Sequence, residues 1–597
     1  MSSLRVDAFD WPEARAASPT LLQRAMLYVR TMRYLKPRQL LVRPLRAAQR
    51  RVPPRLAMAA IPSPTMRELA SVVEQWGTAD RGMERARLVL HDSFEFLNER
   101  RTLTAIDWTQ RYGSHLWSYN LHYFDYAPDL VWAFRLTGDR TFLARFERLA
   151  LSWIQGSGGR GDGWEPYAIS VRIVNWSYGL LLAGSALDLD ARDRLLRSLS
   201  AQHRALAARL EWHVQGNHLL KNLCALVVGA LMFEGQARRR LSDAVQLLET
   251  QVRAQILADG HHEERSPMYH AIVLGDLLEV VALLRSVGHA SADRLHRLVE
   301  PMLAALARVT RPDGSPHRIN DSVDGIAPSR RALAARAQSA GMDLAAHPGT
   351  PGRWHLRDVG FAGYSSPDGR ERLIIDGGVP GPDHQPAHAH CGLLGFELDF
   401  NGHQFLVDPG VHGYAGDRYR EYVRSTRAHN TVAIDGREQN EMWSVFRVAR
   451  RARVTRVSCG AREDQGGILF HGEYHPYHSR DVTHARTIEG GEGVWQITDT
   501  VNGQAHRATS YWHFHPAVSL KQQGDTVVAG GPSGNVRLEP FGATKVIIRS
   551  ANENPPGGWF CPEFGIAQPT WVIALEGPTQ SGVPFGVRLR ANAGGER

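Results

Sequence analysis

The sequence predicts an α+β protein, a domain of packed helices followed by an antiparallel β-sandwich. Three observations predict it. From about Met66 to Leu344, amphipathic runs alternate with short turns such as Thr137-Gly138-Asp139, Glu234-Gly235 and Val287-Gly288. The run His347-Pro348-Gly349-Thr350-Pro351-Gly352 breaks that pattern. After Trp354 the period changes to short apolar runs bounded by Gly, Asp or Asn. A chain of 597 residues is too long for one core. The expected division is a basic extension over 1–65, a helical domain over 66–350 and a β-domain over 351–597.

The extension comes first. No acidic residue occurs between Arg15 and Arg67, while Lys and Arg recur with Leu, Met and Tyr at helical spacing. Two readings stay open: a membrane-surface or polyanion-binding arm, or a helical extension packed on the main domain with a solvated basic face. Pro53-Pro54 and Pro62-Ser63-Pro64 mark a linker. Before it, Met1 to Arg15 carries Asp7, Asp10 and Glu13 and no apolar run, unlike a signal peptide. A cytoplasmic location is therefore expected, with the periplasm as the alternative. No apolar stretch long enough for a membrane span is read in the chain.

In the helical domain, helix follows helix with almost no strand signal, which reads as repeated αα-hairpins in a solenoid or a closed toroid. Leu116 to Tyr126 (LWSYNLHYFDY) is rich in Trp, Tyr, His and Asn. Aromatic faces beside amides suit sugar rings, and an aromatic core helix would look the same. Leu219 to Phe233 is apolar almost all round, a buried helix, with Gly216-Asn217-His218 at its start. Asn217 reads either as an N-cap or as an amide directed into a cleft, where a helix N-terminus favours an anion. In DGHHEERSPMYH, residues 259 to 270, Ser266 is a good N-cap and Pro267 suits the first helical position, which puts Tyr269 in the first turn. His262-Glu263 has Ser266 where a zincin needs its second His, so that class is excluded.

The β-domain holds the densest constellation. Leu394 to Phe400 alternates like a half-buried strand, Asn401-Gly402 marks a hairpin, Gln404 to Val407 returns, and Asp408-Pro409-Gly410 turns the chain. Thr431 to Ile434 reads as a third strand. His388, His390, Asp408 and His429 fall near these strand ends, and two His with one Asp suit a zinc ion. Polar residues marking turns would give the same pattern. A regular hairpin opposes Asp408 to Gly395 rather than to His390, so the strand must bend, with Gly392 and Gly395 as the candidate points.

Composition narrows the partners. A net charge of +9 favours a polyanion, either nucleic acid or a uronate polysaccharide. No RNP, zinc-finger or helix-turn-helix signature supports nucleic acid. The four cysteines form no C-x-x-C pair.

HAHCGLLGFEL, FLVDPG and RSTRAHNTV, in that order, resemble the C-terminal sheet region of the heparinase II/III family of polysaccharide lyases. The resemblance extends from about Leu116 onward through the Asn217-His218 and ERSPMYH motifs. That family usually has Asp after the second His, whereas Cys391 follows His390 here.

The resemblance implies an incomplete (α/α) toroid and β-elimination at a uronic acid. It implies Asn217 and His218 at the substrate carboxylate, and Tyr269 with His388 as the acid–base pair. Glu264 and Arg265 would flank Tyr269, and Asn120, His122 and Tyr123 become candidate cleft residues. Zinc at His390, Asp408 and His429 would be structural, fixing the loop that carries His388. A tyrosine base needs a nearby cation to lower its pKa, and Arg265 is the nearest in sequence. If His388 were itself a zinc ligand, its role as base would fail. Two other classes stay open: a toroid glycoside hydrolase drawing two carboxylates from Asp259, Glu263, Glu264 and Asp321, and a non-catalytic polysaccharide-binding protein of an exopolysaccharide pathway.

Overall fold

Helix caps and apolar faces build the first domain in the computed structural model, which describes residues 20–49, 62–77, 82–462, 466–578 and 580–591. Helix follows helix from Met66–Trp76 to Arg330–Ser339 around one apolar core that runs from Leu69 to Leu344. This is the incomplete (α/α) toroid expected.

Two buried helices position the site. Gly216–Leu231 is buried on nearly every face, as its unbroken apolar run requires. Pro267–Ser286 starts where its sequence says, with the Ser266 hydroxyl accepting from the Tyr269 backbone N–H and Pro267 at the first position. By length and hydropathy this second helix could cross a membrane, but 83% of its apolar window is buried inside the protein. It is a core helix.

One hairpin interrupts the helices. Ser93–Phe96 pairs with Glu99–Thr102 across Leu97-Asn98, both at positive φ (57° and 60°). Leu at such a turn gives no Gly or Asp signal, which is why the sequence reads as helical there.

The extension contributes Leu21–Met32, opened by a reciprocal Thr20–Gln23 capping box, and Pro37–Gln49. Both pack on the body of the protein. Arg30 pairs with Glu441 at 2.7 Å, Lys36 Nζ reaches Gln215 Oε1 at 3.2 Å, and Arg38 lies 3.2 Å over the Trp212 ring. That agrees with the packed-extension reading. Its outward face is apolar as well as basic, with Leu21 and Leu41 exposed. The Pro53-Pro54 linker lies outside the described residues.

The strands of the second domain begin at Gly352. A five-stranded sheet runs in sequence order from Gly352–Leu356 to His403–Leu406. An eight-stranded sheet has Arg453–Ala461 at one edge and Ser519–Gln523 at the other, and every pairing is antiparallel. The two bury a shared core that includes Phe396, Phe470, Trp495 and Trp512.

The predicted hairpin is present, with Phe400 opposite His403 and Asn401-Gly402 at φ 52° and 79°. Two expectations for it are corrected. The strand Phe396–Phe400 is buried on both faces rather than half-buried. Its polar residues face Arg311, whose Nη2 donates to Glu397 Oε2 at 2.6 Å, because the segment after the helical domain covers that face. The register also shifts, at a bulge between the Leu398↔Leu406 and Asp399↔Gln404 pairs, so that Phe405 is the extra residue. Gly395 and Gly392 close a separate tight turn before the strand, with Leu394 at φ 59°.

Candidate active site

Five segments separate in sequence meet where the helical domain faces the β-domain. Tyr269 and His388 lie face to face, ring centroids 3.9 Å apart and 29° from parallel. Asp321 Oδ2 accepts from His388 Nδ1 at 2.8 Å, which fixes the tautomer and leaves Nε2 with a lone pair. That Nε2 lies 3.5 Å from Asn217 Nδ2 and 3.5 Å from Glu264 Oε2. The Tyr269 hydroxyl meets Tyr414 Oη at 3.1 Å.

Asn217 is not the N-cap. The helix starts at Gly216 with Gln215 before it, so Asn217 sits in the first turn with its side chain buried. Glu264 holds it twice: Oε1 accepts from the Asn217 backbone N–H at 2.9 Å and Oε2 from Nδ2 at 2.7 Å. Gly216 makes this possible. Its φ is +57°, and a Cβ there would lie 1.8 Å from Glu264 Oε1. Burial pushes the Glu264 carboxyl up, but His388, His262 and the Asn217 bonds outweigh it and hold it below the usual range. His218 Nδ1 approaches Glu211 Oε1 at 3.2 Å. Burial lowers the His218 pKa, Glu211 more than restores it, and the imidazole stays charged above its ordinary value.

Asp321 is the hub that the sequence reading left among alternatives. Its Oδ1 accepts from His390 Nε2 at 2.8 Å, and Arg420 donates to both oxygens at 2.5 and 2.9 Å. Burial opposes its charge, yet Arg420, His388 and His390 hold the carboxyl well below the usual aspartate range. Arg420 also lies 5.0 Å from the Tyr414 ring centroid. Asp321, Tyr414 and Arg420 occupy polar loops or a short helix with no periodic pattern, so only the fold brings them together.

His390, Asp408 and His429 each offer a ligand atom, and these atoms all lie within 4.8 Å of one another. His388 is not among them. His390 Nε2 is engaged by Asp321, which leaves Nδ1 as its free atom. His390 Nδ1, Asp408 Oδ1 and His429 Nε2 are buried with no hydrogen-bond partner. They line a cavity of about 10 Å³, shared with Asp376. Orphaned donor atoms of these types around a hole of one-atom size fit zinc.

The Heparinase II/III N-terminus pattern matches residues 26–337, and the Heparinase II/III-like, C-terminal pattern matches 348–585. The chain belongs to the heparinase II/III family. A heparin-sulfate lyase of Pedobacter heparinus is 26% identical over 300 residues, covering 46% of this chain and 44% of that protein. This chain therefore spans under half the length of that curated relative. The FtsZ-localized protein C of Caulobacter vibrioides is 24% identical over 451 residues, 70% of this chain and 73% of that one. Among solved structures, a heparinase III superposes with a TM-score of 0.71 at 16% identity, covering 99% of this chain and 93% of that one.

Within this heparinase II/III fold, one expected cleft residue of the aromatic motif falls elsewhere. His122 is a core residue. Its Nδ1 accepts from Trp153 Nε1 at 3.1 Å, it packs against Gly163, and burial drops its pKa to about 3. The phase of its helix explains this, because Trp117, Ser118, Leu121 and His122 form one buried stripe. Tyr123 is half-buried, between Tyr119 at 6.3 Å and Tyr167 at 5.9 Å, and Tyr167 leans on His218 at 4.6 Å. Asn120 is also half-buried, and its Nδ2 donates to the Leu116 carbonyl at 2.9 Å.

Arg265 does not serve Tyr269. With φ at +57°, its side chain turns to the carbonyls of Val359 and Asp358. The net shift at Tyr269 is upward even with Arg420 acting on it: burial, reinforced by Tyr414 and Asp321, pushes its phenol well above the usual range. At Cys391, where the family usually has Asp, the side chain is buried with Sγ 3.9 Å from the Asn440 carbonyl.

Proposed function

We propose that this protein is a polysaccharide lyase that cleaves a uronate-containing acidic polysaccharide by β-elimination. The observation that carries the reading is the His388–Tyr269 stack, with His388 Nδ1 held by Asp321 and its Nε2 beside the Asn217 amide.

The chemistry needs a neutralised carboxylate, a base for the C5 proton and an acid for the departing O4. The Asn217 amide, with one hydrogen held by Glu264, directs the other toward the uronate, and His218 supplies positive charge close by. His388 Nε2 takes the C5 proton. The C5–H electrons form the C4=C5 double bond as the C4–O4 bond breaks. Tyr269, kept protonated by its environment, delivers its proton to O4. This divides roles that a lone tyrosine would otherwise combine, and it removes the need for a cation beside Tyr269. Asp321 is a positioning residue that holds the His388 tautomer.

Zinc held by His390, Asp408 and His429 would cross-link the loops carrying these residues and fix His388 two residues away. Of the four carboxylates that the hydrolase alternative would draw on, Asp259, Glu264 and Asp321 are engaged, which leaves Glu263 without a free partner among them. Asp321 is saturated by Arg420, His388 and His390, Asp259 accepts from the Asp358 and Val359 backbone N–H groups, and Glu264 holds Asn217. The test is incubation with a panel of uronate polymers, following the ultraviolet absorbance of the unsaturated product. New reducing ends without that absorbance would mean hydrolysis. Binding without chain shortening on any polymer would mean a non-catalytic polysaccharide-binding role.

A further inference from the structure

A large cavity lies outside the catalytic cluster. It encloses about 940 Å³, and a second cavity of about 520 Å³ continues from it. Arg265, Val379 and Val454 line both, and neither touches Asn217, Tyr269, His388 or Asp321. Together they follow Arg453–Ala461, the edge strand of the eight-stranded sheet, whose outer side pairs with no other strand among the described residues.

A bulge aims the charges of this strand. Arg453 opposes His475, Val454 opposes Tyr474 and Arg456 opposes Glu473, which leaves Thr455 as the extra residue. Along the neighbouring strand, Tyr474 is buried and points to the core, while Glu473 and His475 point away from it. Plain alternation would send Arg453 and Arg456, three apart, to opposite faces. The extra residue puts both on the outward face and leaves Val454 and Val457 against the core.

The charge in these cavities is lopsided. The first is lined by Arg33, Arg265, Arg450, Arg451, Arg453 and Arg480 against Glu263 and Asp383, and the second adds Arg357 and Arg456 against Asp358. Arg450 and Arg451 already pair with Glu441 and Asp383. Arg357, Arg453, Arg456 and Arg480 are exposed, and their guanidinium groups make no hydrogen bond or ion pair among the described residues. Aromatic faces lie among them. Arg451 stands 4.0 Å from the Tyr34 ring centroid and Arg450 5.0 Å from that of Tyr477. A charged edge strand discourages edge-to-edge pairing. That role asks only for charge, and it explains neither the long concave trough nor guanidinium groups left unpaired along it.

We infer that this trough is a second binding site, outside the catalytic cleft, for a segment of a linear acidic polysaccharide. Repeated carboxylates or sulfates would meet Arg453, Arg456 and Arg480. The ligand class rests on the proposed function; the trough itself does not. Its role would be to hold long polymer near the cleft, which raises local substrate concentration.

The test measures binding without turnover. In the full chain carrying Tyr269→Phe, affinity for long heparin and for polygalacturonate is measured by calorimetry with and without R453E/R456E/R480E. A parallel set carries Arg→Gln at the same positions, and unchanged melting temperatures verify folding. The expected result is about a tenfold loss of affinity for at least one polymer, with a shallower salt dependence and a smaller loss in the Gln set. With Tyr269 intact, the rate on a tetrasaccharide should be unchanged and KM on long polymer raised. Unchanged affinity for both polymers would overturn the inference. So would an equal loss of duplex DNA binding, which would mark a general basic surface. Binding that depends on the three arginines without any cleavage would sink the lyase reading and keep the trough; cleavage of long polymer with unaltered KM would do the reverse.

Discussion

Asp321→Asn is the most informative substitution, because it forces a choice between two histidines. The carboxylate takes four hydrogen bonds, from His388 Nδ1, His390 Nε2 and both Arg420 amino groups. Asparagine keeps the volume and one acceptor oxygen. If its NH₂ group faces His388, that ring must present Nδ1 as acceptor, and the proton moves to Nε2, where the base is needed. If it faces His390, the proton moves to Nδ1, the atom left for zinc. One Arg420 bond is lost either way. Losing two charge-assisted bonds at about 1.5–3 kcal/mol each gives roughly 3–6 kcal/mol, overlapping the ~3–5 kcal/mol for breaking a buried ion pair. The wrong tautomer at His388 should cost about 10²–10⁴ in kcat. The sign of the pH dependence follows from the depressed carboxyl. Its contribution is complete above the ordinary aspartate value of about 3.9 and is lost as pH falls through the folded pKa. The stability gap between wild type and variant should be flat from about pH 5 to 8 and shrink only below about pH 4. Elimination rate, melting temperature and bound zinc are the three readouts. A variant with near-normal rate and a full zinc complement would refute the tautomer argument.

Gly216→Ala should lower the elimination rate at least about tenfold and cost about 1–3 kcal/mol in denaturant unfolding, because the new Cβ displaces Glu264 at a positive φ. The raised His218 pKa keeps a cation in the cleft above about pH 6.5, so KM for an anionic polymer should rise only at higher pH. Glu211→Gln should move that rise to lower pH, as a pH series of KM will show. Metal analysis should find one zinc per chain; a strong chelator should lower the melting temperature and the rate together, and added zinc should restore both. His429→Ala should reproduce the chelated state, whereas His388→Ala should retain zinc and lose activity.

The helix starts were legible because their signals are local. Ser266-Pro267 is a cap written in two residues, and it places Tyr269 in the first turn. The grouping of His390, Asp408 and His429 was legible because these residues share one stretch of chain, although the bulge at Phe405 that sets its register carries no mark in the sequence. His122 was misplaced for want of helical phase, since it shares a stripe with Trp117 and Leu121. Arg265 was misplaced because a left-handed backbone, unusual for arginine, swings its side chain toward the β-domain. Asp321, Tyr414 and Arg420 reach one another only through tertiary contact between the domains, and no local pattern records that.

The central claim is that Tyr269 and His388 carry out a β-elimination. Its most direct test is the ultraviolet absorbance of a uronate polymer panel under the wild type and Tyr269→Phe, which removes one hydroxyl that meets Tyr414. The account predicts rising absorbance on at least one polymer, reduced at least ~10²-fold in the variant, with binding retained. Equal rates in the two proteins, or chain cleavage with no absorbance change, would contradict it.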